Sequence, residues 1–114
     1  MINKYYVKRI FEVTKADCGV FEYMMLHYNR ELVCTEIADK LNRNITTIQR
    51  AVKRLYENNL VERIQENLKG GGYIFKYKLK PFNELEKMFI ARVMKNNNDF
   101  CSQIKQEFRG MKND

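Results

Sequence analysis

Apolar positions recur every three or four residues through most of this 114-residue chain and switch to strict alternation only once. The three-to-four spacing predicts helices and the alternation predicts a strand. Between Thr35 and Leu60 the pattern is densest. Ile37, Ala38 and Leu41 share one face of a first helix, and Ile48, Val52 and Leu55 form a stripe on a second, with Ile45 in line. Asn42, Arg43 and Asn44 make a tight polar turn between them. Thr35 is suited to cap the first helix, and Asn44 to cap the second, which runs from about residue 45 to 58. Asn59 stands where a left-handed residue would end it.

Upstream, Ile2, Tyr5, Tyr6, Ile10 and Phe11 suggest a short N-terminal helix. Thr14 followed by Asp17 forms a capping box, Asp standing in for Glu, and starts the next helix. That helix packs Val20, Phe21, Met24, Met25 and Tyr28 inward, and Gly19 within it implies close helix packing, because glycine there costs about 1 kcal/mol relative to alanine. Leu32, Val33 and Cys34 read as a short strand. Downstream, Leu60–Glu66 and Tyr73–Lys80 read as paired strands. In the second, Tyr73, Phe75, Tyr77 and Leu79 form an aromatic, buried face, and Ile74, Lys76, Lys78 and Lys80 the other. Gly70, Gly71 and Gly72 supply the positive φ angles of a hairpin. Pro81 ends the strand and opens the last helical segment. There Leu85, Phe89, Val93, Phe100, Ile104 and Phe108 keep helical spacing. Asn96, Asn97 and Asn98 allow one long helix with a polar waist or two helices with a break; the spacing favours one.

The resulting order, helix-turn-helix followed by a glycine-tipped hairpin, is α+β and mostly α. It predicts a winged helix-turn-helix with a β-hairpin wing and a long C-terminal dimerisation helix. Residues 1–80 would form the winged domain, with the helix at 1–13 joining the dimer interface, and 81–110 the dimerisation helix. The stripe Leu85, Phe89, Val93, Phe100, Ile104 and Phe108 exceeds what so small a core can bury, and so points to pairing across a two-fold axis.

Charge sharpens this picture. The formal net charge is +7 and the pI about 9.4, which favours a polyanionic partner. Residues 1–34 carry five basic and four acidic groups, and residues 81–114 six and five. Residues 35–80 carry ten against five, so the excess lies on the helix-turn-helix and hairpin. Turned away from the apolar stripe of the second helix are Thr46, Thr47, Gln49, Arg50, Lys53 and Arg54. Gln bonds adenine and Arg bonds guanine in a major groove, so Thr46, Thr47, Gln49 and Arg50 are candidate base readers. Lys53 and Arg54, a turn further on, suit phosphates, and Asn44 can cap its helix and touch a phosphate together. Lys69, beside the wing at about residues 67–72, suits the minor groove or backbone. Lys76 and Lys78 either join it or only guard a strand edge.

Other chemistry is excluded or weak. The three cysteines, Cys18, Cys34 and Cys101, show no CxxC spacing, and His27 is the single histidine, which argues against a metal site or disulfide framework and fits a reducing cytosol. Cys18, Met24 and Met25 read as core. No Ser/His/Asp or Cys/His set can be assembled, no Lys-Ser/Thr pair follows the glycines as a P-loop requires, and no cofactor is implied. The N-terminus lacks the apolar run of a signal peptide or membrane span.

The KADCGVFEYMM helix, TEIADKLNRNITTIQRAVKRL, NNLVER and GGGYIFKYKL together resemble archaeal winged-helix regulators of the broad MarR/TrmB-like group, over Thr14 to Phe108. The resemblance implies a homodimer made by the last helix, with recognition helix and wing on palindromic double-stranded DNA. Relatives often carry Gly at the position of Asn59, an apolar residue at Arg43 and a polar one at Ile45. Ile45 therefore either fills the core in place of the turn residue or meets a thymine methyl. The expected function is a sequence-specific regulator. A winged-helix module of a protein assembly and a nonspecific architectural DNA protein are the alternatives, and no effector can be named.

Overall fold

The computed structural model describes residues 4–94 and 98–112, with backbone alone for residues 4, 5, 98–101 and 112. Six helices and one hairpin follow in the order α1 Lys4–Phe11, α2 Lys15–Leu26, α3 Cys34–Leu41, α4 Ile45–Glu57, β1 Val61–Asn67, β2 Tyr73–Leu79, α5 Phe82–Val93 and α6 Asn98–Lys112. The molecule is elongated, 52 × 25 × 23 Å. This is a winged helix-turn-helix.

Local chemistry sets the boundaries. Thr14 and Asp17 form the expected capping box: the Thr14 hydroxyl accepts from the Asp17 amide at 3.2 Å, and the Asp17 carboxylate accepts from the Thr14 amide at 3.1 Å. Asn42, at φ 52°, ends α3, and the Arg43 amide reaches back to the Ala38 carbonyl at 2.9 Å. Asn59, at φ 63°, ends α4 likewise, with the Leu60 amide on the Leu55 carbonyl at 2.9 Å. Both are six-to-one closures in which asparagine fills the left-handed position usually held by glycine.

At the start of α3 the structure differs from expectation. Val33, not Thr35, is the N-cap, and no side chain caps it. Leu32 alone pairs with the sheet, exchanging two 2.7 Å backbone hydrogen bonds with Tyr77. That pairing straightens the chain up to Val33, so the helix begins at Cys34 and Thr35 falls in its first turn.

The hairpin pairs Val61 with Leu79 at its base and Asn67 with Tyr73 at its tip. Gly71 and Gly72 hold φ of +100° and +79°, which side chains rarely adopt, whereas Gly70 does not need such an angle. The expected aromatic face is not uniformly buried. Leu79 is 2% exposed, Phe75 and Tyr77 are half-buried, and Tyr73 is 56% exposed. Only the base of the ribbon reaches the body; the tip projects as a wing.

The largest departure lies at the C-terminus. α5 and α6 are separate helices, and α6 returns antiparallel along α5, so that Phe108 meets both Phe89 (ring centroids 5.7 Å) and Phe82 (6.4 Å). Leu85, Phe89, Ile104 and Phe108 are fully buried and Val93 nearly so within one chain; the Phe100 side chain lies outside the described residues. The described members of the stripe assigned to dimerisation thus lie in the chain's own core. Asparagines at the boundary are poor helix formers, and reversal lets one stripe cover the other. α1 is drawn into the same core through Val7 and through Phe11, whose ring stands edge-on to Phe89 at 5.2 Å. Ile2 and the side chain of Tyr5 lie outside the described residues. A single cluster of buried side chains runs from Val7 to Phe108.

Gly19 is not at a close contact: a Cβ built there meets nothing within 4 Å. Gly19→Ala should therefore raise stability by about 0.5–1 kcal/mol. Phe108→Ala should lower it by about 3–5 kcal/mol, through lost burial and an unfilled cavity. Urea unfolding of both variants reads the two signs; a neutral Phe108→Ala would mean that α6 is not part of the core.

Candidate nucleic-acid interface

The face of α4 turned away from the core is set by four buried residues, Ile48, Ala51, Val52 and Leu55. With these facing inward, the 3.6-residue repeat carries Thr46, Gln49, Arg50 and Lys53 outward, and all four are exposed. Thr47 is half-buried. Asn44 is exposed, and its carboxamide oxygen accepts from the Thr46 amide at 2.7 Å, satisfying an open donor at the helix start. Among the described residues nothing forms an ion pair with Arg50 or Lys53. Lys69 is likewise exposed and unpaired, at the wing tip.

Arg54 is different. Its Nε and Nη2 donate to the two carboxylate oxygens of Asp17, at 2.7 and 2.8 Å. Asp17 is fully buried, whereas the Arg54 side chain is 39% exposed. The hydrogen bond to Asp17 is the main cause raising the pKa of the guanidinium above its ordinary value. The expectation of a phosphate contact at Arg54 is therefore revised: this cation ties α4 to the N-terminus of α2.

One of the strand lysines is also engaged. Lys76 Nζ lies 2.8 Å from the Glu66 carboxylate, which raises the lysine's pKa. Lys78 is half-buried and stands across from Glu62 in the register. Arg63 on β1 adds a contact that local sequence pattern alone does not point to. Its guanidinium lies 4.5 Å from the Tyr56 ring centroid and 4.4 Å from that of Phe75, joining the end of α4 to the wing by two cation–π contacts. The signal was present in the alternation, since Arg63 shares a sheet face with Phe75 and pairs with Tyr77. Recognising it required the register.

Ile45 is half-buried and packs against the edge of the core. Beside it, the first turns of α3 and α4 and the face of β2 enclose a pocket of about 340 Å³. No group of three or more metal-ligating side chains occurs among the described residues, and no helix among them is long and apolar enough to cross a membrane.

This arrangement defines a winged helix-turn-helix with an exposed, cationic second helix. Residues 7–83 match the family described as "Sugar-specific transcriptional regulator TrmB", and the chain belongs to that family of transcriptional regulators. It is 34% identical over 97 residues to the uncharacterized protein MJ1503 of Methanocaldococcus jannaschii, covering 85% of this chain and 69% of that protein. A solved structure described as a possible transcriptional regulator from Methanosarcina mazei is similar with a TM-score of 0.75 and 27% identity, over 94% of this chain and 86% of the other. A mutant of MepR from S. aureus, bound to an oligodeoxyribonucleotide, shares the fold at a TM-score of 0.54 and 16% identity, over 95% and 83%.

Replacing Arg54 leaves Asp17 buried without its cation, and loss of one partner of a buried pair costs about 3 kcal/mol or more. Arg54→Met should therefore unfold at distinctly lower urea than the wild type, whereas the exposed Lys53→Met should change stability by no more than about 0.5 kcal/mol. Equal effects would remove the distinction drawn between these neighbouring cations.

Proposed function

We propose that the chain is a sequence-specific regulator that binds double-stranded DNA as a homodimer, with α4 in the major groove and the wing on the minor groove or backbone. The observation that carries this reading is the outward face of α4. Gln49, Arg50 and Lys53 are exposed, and neither cation has a carboxylate partner among the described residues. A solvated helix face on a small domain usually interleaves both signs; this face is free of acids from Thr46 to Lys53. Membership in a family of transcriptional regulators supports the reading, as does the MepR mutant of the same fold bound to an oligodeoxyribonucleotide.

Within it, Gln49 and Arg50, with Thr46 and Thr47, read base edges. Asn44, Lys53 and Lys69 hold phosphates and set register. Pairing of two copies uses the outer faces of α5 and α6, where Met94 is 61% exposed and Met88, Ile90 and Met111 are half-buried. A two-fold axis there sets two recognition helices about one DNA turn, roughly 34 Å, apart.

A dimer presenting Arg50, Lys53 and Lys69 twice displaces about six counterions, so duplex affinity should fall with salt at a log–log slope of about −5. Arg50→Ala should cost about 1–3 kcal/mol on the preferred site and relax its preference. Lys53→Ala should weaken preferred and random duplexes by similar factors. Titration of both variants against both duplexes decides the matter: an unchanged preferred-to-random ratio in Arg50→Ala means that Arg50 does not read bases. Solution mass at micromolar concentration checks the dimer, which a 13.7 kDa species would overturn.

A further inference from the structure

Open space, not packed side chains, separates the start of α4 from the wing. The pocket of about 340 Å³ lies there, with Ile45 and Gln49 of α4 on one side and Ile74, Phe75 and Tyr77 of β2 on the other. The ribbon is buried at its base, at Val61 and Leu79, and the Leu32–Tyr77 bridge holds one edge of β2. Beyond that bridge every strand residue is half-buried or exposed. A two-stranded ribbon is marginal on its own, so apolar packing does not fix the angle between its tip and α4.

Arg63 supplies what packing does not. Its guanidinium lies 4.5 Å from the ring centroid of Tyr56, on the last turn of α4, and 4.4 Å from that of Phe75. No carboxylate on the strands competes for it: of the strand residues on its side of the sheet, Arg63 alone is charged. Phe75 in turn meets the ring of Tyr73 at 5.2 Å, and Tyr73 belongs to the last pair before the turn that carries Lys69. One line of contacts thus runs from the end of α4 through Arg63 to the wing tip. A flat, permanently charged guanidinium suits that place, because it can stack on two rings at once.

We propose that Arg63 is a positioning residue for duplex binding: clamped between Tyr56 and Phe75, it holds the wing at the angle at which Lys69 and α4 reach one duplex together. The clamp is a property of the free chain, whereas its effect on binding rests on the DNA reading above. Direct phosphate binding by Arg63 is the competing role. Tyr56 separates the two, because removing its ring opens the clamp and takes away no charge.

Residual dipolar couplings of the backbone amides read the angle in the full chain without DNA. In the wild type, β1 and β2 should fit the same alignment as α2, α3 and α4. In Arg63→Gln and in Tyr56→Ala the couplings of residues 64–76 should shrink relative to those of the helices. Both side chains are exposed, so neither substitution opens the core. With duplex, Lys69→Ala should weaken the wild type by about fivefold or more, one phosphate contact being lost from each subunit. In either variant the same change should cost less than about twofold. Both variants should also flatten the log–log salt slope by about 2, although Tyr56→Ala removes no charge. Tyr56→Phe, which keeps the ring, should restore couplings and slope. Couplings unchanged in both variants overturn the clamp, as does a Tyr56→Phe that behaves like Tyr56→Ala. A Lys69→Ala penalty absent from the wild type or undiminished in the variants overturns the role in binding, and so does an unchanged slope in Tyr56→Ala. Should the wild type bind no duplex, the DNA reading falls and the couplings alone decide the clamp.

Discussion

The two-point ion pair between Asp17 and Arg54 fixes the geometry on which the functional surface depends. One carboxylate closes the capping box of α2 and grips the guanidinium of α4, 37 residues later. A fully buried carboxylate needs every lone pair engaged, and this one is stabilised by a backbone amide, two guanidinium donors and the positive end of its own helix. The pair need not add much net stability, since desolvation offsets attraction. What it provides is orientation. α4 has an apolar stripe that tolerates some rotation, and a bidentate contact at one place along it removes that freedom. With Arg54 held against α2 the rotation of α4 is set, and Arg50, one turn back on the same side, and Lys53 stay exposed to solvent.

The wing is set by a second, weaker device. Past the buried Val61–Leu79 pair the hairpin leaves the body, and Arg63 bridges it to α4 through Tyr56 and Phe75. Leu32 adds a single bridge to the other edge of the ribbon. The aromatic group of Phe11, Phe21, Phe82, Phe89 and Phe108 anchors the opposite end of the molecule. Helix α4 and the wing therefore stand on a packed base while the pocket between them stays open to solvent.

Local chemistry was legible in the sequence, and distant pairing was not. The Thr14–Asp17 box, the Asn44 cap and the left-handed Asn59 could each be read from a few adjacent residues. The same Asp17 could not be matched to Arg54, because a basic residue on an outward-seeming helix position reads equally as a phosphate contact. Helical spacing persists across residues 85–108 whether the chain runs straight or reverses, so periodicity could not reveal that Ile104 and Phe108 fold back on Phe89. Gly19 misled for a related reason: its cost is visible in sequence, but the empty space beside it is not. Of the candidate interface, the outward set on α4 followed from the stripe opposite it, whereas Arg63 needed the strand register.

The claim at the centre of this account is that the outward face of α4 reads a duplex. It is tested most directly by selecting bound molecules from a pool of random double-stranded DNA with the full chain. The account predicts enrichment of an inverted repeat whose half-sites lie about one helical turn apart. A retained pool with no sequence preference, or no retained DNA at all, would contradict it.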